Sequence, residues 1–446
     1  MIRASFTFPA GFLWGCATSS HQVEGNNIHN DWWAWEQELG RILNGDRSGK
    51  ACEWWAGRWR EDFDRAKDGF QNAQRISIEW SRVQPELDRW DEGALDRYRQ
   101  MVMGLKERGM VPMVTLHHFT NPIWLAEMGG WENDEVVTLF AEYTRKTVDA
   151  LKAHCDFWVT INEPNVFMNG GYLGDGFPPG KNDIKAAIKV LTNMVKAHAK
   201  AYELIHELQA EARVGIAHHW RGFMPANNGF LTKRVAKLYN TAFNHAFAET
   251  LRTGRFDAQI HKEDIPQAKG TQDYFGINYY AREEIAFDLF KPGSMYANYA
   301  YPKDAELSDS GFVANDPEGF RECIRWANSF GLPIYITENG TDDSKDAFKR
   351  KYLVDHILAM WREVNHNIPI KGYFYWSLVD NFEWNLGWER PFGLWELDLN
   401  SQQRSLRDSG KLYAEICRTN TLSSDAIEAF APELYEHVFG KAELSL

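Results

Sequence analysis

Eight short segments of strand-like composition recur along the 446-residue chain, and they constrain its fold more than any other feature. Each is a run rich in β-branched or other apolar residues that ends in polar or aromatic side chains. The segments are residues 12–22, 72–80, 111–119, 157–165, 212–220, 273–280, 332–339 and 370–378. Stretches with helical spacing of apolar residues separate most of them, for example 95–108, 134–154, 183–209 and 346–365.

This alternation predicts an α/β fold in which parallel strands are joined by helical crossovers. Eight such units indicate a closed (β/α)₈ barrel. No linker rich in Pro, Gly and Ser interrupts the chain, so we expect a single catalytic domain over residues 1–446. Within it, residues 281–315 are expected to be a long irregular loop after the sixth strand, and residues 422–446 a short helical C-terminal extension.

Charge and hydropathy exclude several classes of partner. The net charge is −13 and is spread along the chain, which argues against nucleic acid because phosphate binding needs clustered Lys and Arg. No run of about 18 apolar residues is present, so we expect no membrane span. The first residues lack a basic segment followed by an apolar one, so we expect no signal peptide. The sequence does not indicate an oligomeric state.

The cysteines and the paired histidines bear on location and on metal binding. Five cysteines are widely spaced, odd in number and without a CxxC motif, which is typical of reduced thiols and predicts a cytoplasmic protein. The pairs His117-His118 and His218-His219 are not expected to bind metal, because adjacent side chains on a strand point to opposite faces.

Two glutamates end predicted strands of the barrel. Glu163 follows the fourth strand and precedes a proline, and Glu338 lies at the end of the seventh. Since chemistry in such barrels occurs at the C-terminal strand ends, both carboxyls should face one cleft. A pair of carboxyls across a cleft is the minimal apparatus for cleaving a glycosidic bond. The other strand ends carry Arg75, His118, Asn162, Asn278 and Tyr280, and a total of 19 tryptophans is compatible with sugar stacking.

Four longer motifs sharpen this interpretation. The segments "FLWGCATSSHQVEG", "TINEPN", "YITENG" and "GYFYWSLVDNFEWNLGW" resemble, in this order, motifs of the retaining β-glycosidases of glycoside hydrolase family 1. The resemblance extends from about Phe8 to Asn420. It implies a single (β/α)₈ barrel that works without a cofactor.

The resemblance also implies roles for individual residues. Glu163 matches the general acid/base and Glu338 the nucleophile of the family. Arg75 matches the arginine that holds the nucleophile ionised, Tyr280 the tyrosine that donates to it, and Asn278 lies beside the pair. We expect Arg75 to favour charge on Glu338, and that charge to keep Glu163 protonated.

Further positions match the residues that bind the sugar. Asn162 resembles the ligand of the 2-hydroxyl, and Trp376 the platform under the ring. The residues that resemble readers of the other hydroxyls are Gln22, His118, Glu383 and Trp384. A carboxyl at Glu383 should repel a 6-phosphate, since family members that act on 6-phosphosugars usually carry a small hydroxyl residue there. Asn165 departs from the family's usual tryptophan and predicts a more polar or more open leaving-group side.

We therefore expect an exo-acting retaining β-glucosidase that takes β-glucosides and short β-linked oligosaccharides. Activity on β-galactosyl or β-fucosyl residues stays open. A catalytically silent sugar-binding protein is the rival from another class, and the presence of both Glu163 and Glu338 argues against it. A transglycosidase that uses the same covalent intermediate is not distinguished by the sequence.

Overall fold

The structure is a computed structural model that describes residues 3–291 and 295–440. Its strands are β1 Ser5–Thr7, β2 Leu13–Ala17, β3 Ala73–Ser77, β4 Val111–His117, β5 Phe157–Asn162, β6 Arg213–His219, β7 Phe223–Pro225, β8 Arg255–Asp257, β9 Lys262–Asp264, β10 Phe275–Asn278, β11 Glu283–Phe287, β12 Ala297–Ala300, β13 Ile334–Asn339, β14 Ile370–Trp376, β15 Trp395–Leu397, β16 Arg404–Leu406 and β17 Thr421–Ser423.

Eight of these strands close into a parallel barrel. Their order is β2, β3, β4, β5, β6, β10, β13 and β14, and β14 pairs with β2. They correspond one to one with the eight segments singled out in the sequence. The predicted (β/α)₈ barrel is therefore confirmed.

Helices surround the barrel and connect its strands. They are α1 Ser20–Glu24, α2 Asp31–Trp35, α3 Trp59–Asp68, α4 Trp80–Val83, α5 Glu92–Glu107, α6 Ile123–Glu127, α7 Val136–Leu151, α8 Pro164–Tyr172, α9 Ile184–Leu208, α10 Phe230–Tyr239, α11 Ala246–Thr253, α12 Pro317–Asn328, α13 Ala347–Asn365, α14 Asp408–Thr419, α15 Ser424–Phe430 and α16 Tyr435–Phe439. The stretches predicted as amphipathic helices correspond to α5, α7, α9 and α13.

Local sequence explains why these elements form. Strand β5 reads FWVTIN and is buried along its whole length, as expected for a parallel strand covered on both faces. Helix α9 begins after Asp183, whose carboxylate accepts hydrogen bonds from the amides of Lys185 and Ala186. Inside the barrel, large side chains such as Phe157, Tyr274 and Phe374 form a packed core beneath the strand ends.

One expectation about the loops is wrong. Residues 281–315 are not irregular throughout, because β11 pairs with both β7 and β12 in a three-stranded sheet beside the barrel mouth. Residues 292–294, within that loop, lie outside the described residues.

The first and last strands of the described chain pair with each other. Strand β17 pairs antiparallel with β1, and Phe6 lies opposite Leu422. The segment expected as a helical extension contains α15 and α16, and its last six residues, 441–446, lie outside the described residues.

Two further observations concern the whole fold. No helix in residues 3–291 and 295–440 is long and apolar enough to cross a membrane. All five cysteines are described and none is in a disulfide.

Candidate active site

A pocket of about 500 Å³ opens at the C-terminal ends of the barrel strands. Seven of the eleven site residues predicted from the sequence line it: His118, Glu163, Tyr280, Glu338, Trp376, Glu383 and Trp384. The remaining four, Gln22, Arg75, Asn162 and Asn278, are fully buried behind its wall. Each of these four makes a hydrogen bond to a lining residue. The structure thus brings the whole predicted set together.

The turn after β5 positions Glu163. Its backbone adopts a left-handed conformation with φ of 44°, which is uncommon for a residue with a side chain. Helix α8 then begins at Pro164, whose missing amide hydrogen costs nothing in a first helical turn. The amide of Glu163 donates to the Ala217 carbonyl of β6 at 2.9 Å. This sharp change from strand to helix sets the Glu163 carboxyl into the pocket wall.

Glu338, near the end of β13, is held on both carboxyl oxygens. Arg75 Nη1 donates to Oε1 at 2.6 Å, and the Tyr280 hydroxyl donates to Oε2 at 2.8 Å. The Arg75 guanidinium is fixed in turn by a bond from Nε to the Thr115 hydroxyl at 3.0 Å. Burial and the nearby Glu338 charge raise the pKa of Tyr280 well above its ordinary value, so Tyr280 stays protonated and donates.

Two asparagine amides link the carboxyls. Asn162 Oδ1 accepts from Arg75 Nη2 at 2.6 Å and from Asn278 Nδ2 at 3.1 Å. Asn278 Nδ2 also donates to Glu163 Oε1 at 2.7 Å. The Thr337 hydroxyl donates to Asn278 Oδ1 at 2.6 Å, which fixes the orientation of that amide. A continuous polar chain therefore runs from the cation beside Glu338 to the Glu163 carboxyl.

The protonation of the two carboxyls is linked. Burial and the charge of Glu163 raise the pKa of Glu338 to about 7, against the opposing effects of Arg75 and Tyr280. Burial also disfavours charge on Glu163, but His219, Asn278 and Arg75 outweigh it and lower the pKa of Glu163. Two carboxyls so placed hold one proton between them, because a second buried negative charge is unfavourable.

These two pKa directions are opposite to the expectation that Arg75 keeps Glu338 ionised and that Glu163 holds the proton in the free enzyme. The strongest effect that lowers the Glu163 pKa is the positive charge of His219, so it operates only when that ring is protonated. Beside an imidazolium, Glu163 carries the negative charge. Beside a neutral His219, the ion pair with Arg75 favours charge on Glu338 and leaves the proton on Glu163.

The deep end of the pocket combines polar groups with aromatic faces. Gln22 Nε2 donates to Glu383 Oε2 at 3.2 Å. Burial and then the charges of Glu338 and Asp342 raise the pKa of Glu383 to about 8. The rings of Trp384 and Trp376 each lie nearly parallel to a third ring, that of His118, with centroids 6.0 and 5.9 Å from it.

His118 is a neutral ring in this setting. Burial, Arg75 and His117 lower its pKa well below the ordinary value. Its Nε2 accepts from Asn162 Nδ2 at 3.2 Å, so the ring hydrogen lies on Nδ1. Nδ1 has no protein partner within the described residues and is a donor that a substrate hydroxyl could satisfy.

The outer half of the pocket was not found from the sequence. Phe177 and Phe312 form apolar walls, and Arg221, Glu283 and Tyr301 supply polar groups. Arg221 Nη1 lies 3.6 Å from Glu283 Oε1, and Glu283 Oε2 is buried with no protein partner within residues 3–291 and 295–440. Arg221 lies between β6 and β7, and Glu283 is the first residue of β11, so their approach to the pocket is set by tertiary structure.

Asn165 lies behind the pocket wall. Its side chain is buried and donates to the backbone carbonyls of His219 and Phe243, and it does not line the pocket. The expectation that a residue other than tryptophan here leaves the leaving-group side more open or more polar stays a prediction.

His219 is the main site residue that the sequence interpretation missed. It was considered only as half of a histidine pair, yet its Nδ1 lies 2.9 Å from Glu163 Oε1. His218 points the other way, to Gln272, as alternation along a strand requires. The available signal was position, because His219 ends a barrel strand. Among the described residues, no group of three or more His, Cys, Asp or Glu is arranged to hold a metal ion.

Comparison with known proteins decides the family. The sequence model described as "Glycosyl hydrolase family 1" matches residues 4–422. The chain belongs to this family. Beta-glucosidase A of Thermotoga maritima is 31% identical, over 93% of this chain and 98% of that protein. A beta-galactosidase of Pyrococcus woesei is 32% identical, over 93% and 97%.

Solved structures agree with the family assignment. A beta-glycosidase from Pyrococcus horikoshii superposes with a TM-score of 0.90 and 33% identity, covering 99% of this chain and 100% of that one. The family predicted from the four sequence motifs is therefore confirmed, and the chain is a glycoside hydrolase of family 1 with a β-glucosidase-like barrel.

Proposed function

We propose that this family 1 enzyme is exo-acting and removes terminal β-D-glucosyl residues with retention of anomeric configuration. The observation that carries the proposal is the unequal surroundings of the two carboxyls. Glu338 is held on both oxygens by a cation and a phenol, whereas a protein partner is found for only one oxygen of Glu163 within the described residues. A fixed anion suits a nucleophile, and a free oxygen suits proton transfer.

In the first step, an oxygen of ionised Glu338 attacks the anomeric carbon as the bond to the leaving oxygen breaks. Glu163 gives its proton to that oxygen, so the leaving group departs as a neutral alcohol. A glycosyl ester then stands on Glu338, and the negative charge has moved to Glu163. Loss of the Glu338 charge removes the repulsion that kept Glu163 protonated.

In the second step, Glu163 takes a proton from a water molecule whose oxygen attacks the anomeric carbon. The ester bond breaks, and Glu338 regains its charge beside Arg75 and Tyr280. Two inversions give net retention, and the cycle ends with both carboxyls in their starting states. The reaction requires no cofactor.

The deep end of the pocket favours an uncharged sugar. Glu163, Glu338 and Glu383 all line it, so a 6-phosphate would meet three acidic groups. Glu383 and His118 offer hydrogen bonds to hydroxyls, Gln22 holds Glu383 from behind, and the tryptophan faces offer apolar contact to the ring. The name of the Pyrococcus woesei relative, a beta-galactosidase, supports accompanying activity on the 4-epimer.

The outer half favours a sugar as leaving group. A volume of about 500 Å³ exceeds what one glucosyl residue fills, and the Arg221–Glu283 pair can bind hydroxyls. We therefore propose β-glucosides and short β-linked oligosaccharides as substrates. The same space could receive an acceptor sugar instead of water, which keeps transglycosylation as a second candidate reaction. The five unpaired thiols support the proposal of a cytoplasmic location.

A panel of substrates tests these points together. It comprises the 4-nitrophenyl β-glycosides of glucose, galactose and fucose, the 6-phosphoglucoside, and cellobiose, with products followed over time by proton NMR. We expect β-glucose to form first and the 6-phosphoglucoside to react most slowly. Early α-glucose would contradict retention, preference for the phosphosugar would contradict the neutral-sugar assignment, and products longer than cellobiose would establish transfer.

A further inference from the structure

His219 makes a direct contact with the Glu163 carboxyl. Its Nδ1 lies 2.9 Å from Oε1, and the two side chains are each only 7% exposed. Asn278 Nδ2 donates to the same oxygen at 2.7 Å. Oε1 is therefore approached by two nitrogen atoms, while Oε2 has no protein partner in the part of the chain that the structure describes.

The surroundings of His219 fix the direction of its ring. The Tyr280 ring lies nearly parallel to it, with centroids 5.8 Å apart and planes 21° apart. The Phe243 ring meets it edge-on at 89° with centroids 5.9 Å apart. Asn165 Nδ2 donates to the His219 carbonyl at 2.7 Å and to that of Phe243 at 3.0 Å. Asn165 lies in the first turn of α8, so the segment that carries Glu163 also tethers His219.

We infer that His219 is a positioning residue that donates its Nδ1 hydrogen to Glu163 Oε1 and thereby reserves Oε2 for proton transfer. The inference rests on the proposed role of Glu163 as acid/base. An oxygen that accepts from both His219 and Asn278 is a poor place for the carboxyl proton, because the proton would face two donors. The transferable proton is then left on Oε2.

The same hydrogen bond acts in both steps of the reaction. Donation to a carboxylate is stronger than donation to a carboxylic acid, so His219 stabilises Glu163 after it has lost its proton. The hydrogen bond thus keeps the Glu163 carboxyl acidic enough to protonate the leaving group. In the second step it stabilises the Glu163 carboxylate that takes a proton from water. A positively charged His219 would instead draw the negative charge onto Glu163 and deplete the acid form.

Other charges also act on His219. The titratable or charged groups around it are Glu163 and Tyr280, which contact it directly, the Arg221–Glu283 pair of the outer pocket, and the Arg75–Glu338 pair across the pocket. The variants below leave these side chains in place, so any change in pH dependence reports the His219 contact.

Three substitutions at this position separate its possible roles. His219→Phe keeps the aromatic packing and removes both nitrogens. His219→Asn places an amide nitrogen near the site of Nδ1, and His219→Gln places one near the site of Nε2. His218→Phe is the matched control, since that ring is on the opposite face and bonds to Gln272.

The readout is the pH profile of kcat/KM with a β-glucoside that has a poor leaving group. We expect the basic limb of His219→Phe to move up by about one pH unit, because the ionised form of Glu163 loses a donor. In His219→Asn, the basic limb should return toward its position in the parent enzyme. In His219→Gln, it should stay shifted as in His219→Phe. In the control His218→Phe, it should coincide with that of the parent enzyme.

Two results would overturn the inference. One is a basic limb of His219→Phe that coincides with that of the parent enzyme, and the other is equal restoration by Asn and Gln. If the Phe variant does not fold, the Asn and Gln pair still decides between Nδ1 and Nε2. The role of Glu163 itself is tested separately by azide trapping in Glu163→Ala, so a failure of that role is distinguishable from a failure of His219.

Discussion

Arg75 and Glu338 form an ion pair across the barrel, with Nη1 and Oε1 2.6 Å apart and both side chains at most 4% exposed. The geometry of a buried ion pair of this kind is maintained because loss of either partner would leave the other as an uncompensated buried charge. Removal of one partner of such a pair typically costs about 3–5 kcal/mol of stability. The Arg75 cation also opposes the effects of burial and of Glu163 that raise the pKa of Glu338.

Arg75→Met should therefore impair the nucleophile. Without the cation, the pKa of Glu338 rises further, and the acidic limb of the kcat/KM profile should move to higher pH with a loss of about 100-fold or more in kcat/KM. The control is Arg145→Met, which breaks an exposed pair with Glu207 and should change neither quantity. An unshifted acidic limb in a folded Arg75→Met variant would contradict this role.

Azide should distinguish the two carboxyls. In Glu338→Gly, azide can enter the space left by the nucleophile and attack a substrate with a good leaving group, giving an α-glycosyl azide by one inversion. In Glu163→Ala, the glycosyl ester forms but lacks a base for water, so azide should give a β-glycosyl azide by two inversions. The coupling of the anomeric proton in NMR identifies each product, and the reverse pattern would show that the roles are exchanged.

Glu383→Ala should weaken recognition of the sugar. A hydroxyl left unpaired in a buried site costs about 1–3 kcal/mol, which corresponds to a fall in kcat/KM for the glucoside of about 10- to 100-fold. Above about pH 8, where the Glu383 carboxyl is ionised, the ratio of 6-phosphoglucoside to glucoside hydrolysis should rise, because one of the repelling charges is gone. If that ratio stays constant while both rates fall equally, Glu383 does not discriminate against the phosphate.

Glu383 also makes a prediction about stability. Its pKa is raised to about 8 in the folded protein, so the folded state keeps a proton that the unfolded state releases near pH 4.3, about the ordinary value for glutamate. The contribution of this carboxyl to stability is full at low pH, declines as pH rises, and is lost above about pH 8. The Tm of Glu383→Gln minus that of the parent protein should therefore increase as the pH rises from about 5 to about 8. A Tm difference that is independent of pH would exclude this.

The outer pocket should matter most for sugar leaving groups. Glu283→Gln should lower the ratio of kcat/KM for cellobiose to that for 4-nitrophenyl glucoside by about tenfold, since a hydroxyl loses a charged acceptor. Glu284→Gln, at the next position of the same strand, is the matched control because Glu284 does not line the pocket. Equal losses on both substrates would indicate that Glu283 acts on the fold or on the chemistry rather than on the leaving group.

The barrel was predictable because its signal is local. Each strand such as Phe157–Asn162 is a continuous buried run, and its position relative to the neighbouring helices repeats eight times. The eleven site residues were found because strand ends and family motifs coincide. Glu163 and Glu338 each stand in a motif of this kind, and the closed barrel then brings them to one pocket.

The missed residues depend on tertiary structure. Arg221 and Glu283 approach the pocket only because β11 pairs with β7, a contact that has no local sequence signal. His219 carried the positional signal of a strand end, but its partner is fixed by the left-handed turn at Glu163. The contacts of Asn165 with the His219 and Phe243 carbonyls likewise depend on the first turn of α8, and its position after Glu163 does not reveal them.

The bond from Thr337 to Asn278 links the surroundings of the two carboxyls. Thr337 and Glu338 are consecutive, so the strand that carries the Glu338 carboxyl also sets the amide that donates to Glu163. A small displacement at the end of β13 would misalign both carboxyls at once. Random mutagenesis around this dipeptide should therefore yield few variants that are slow in only one step, and selection for transfer over hydrolysis is better directed at the segments that carry Arg221 and Glu283.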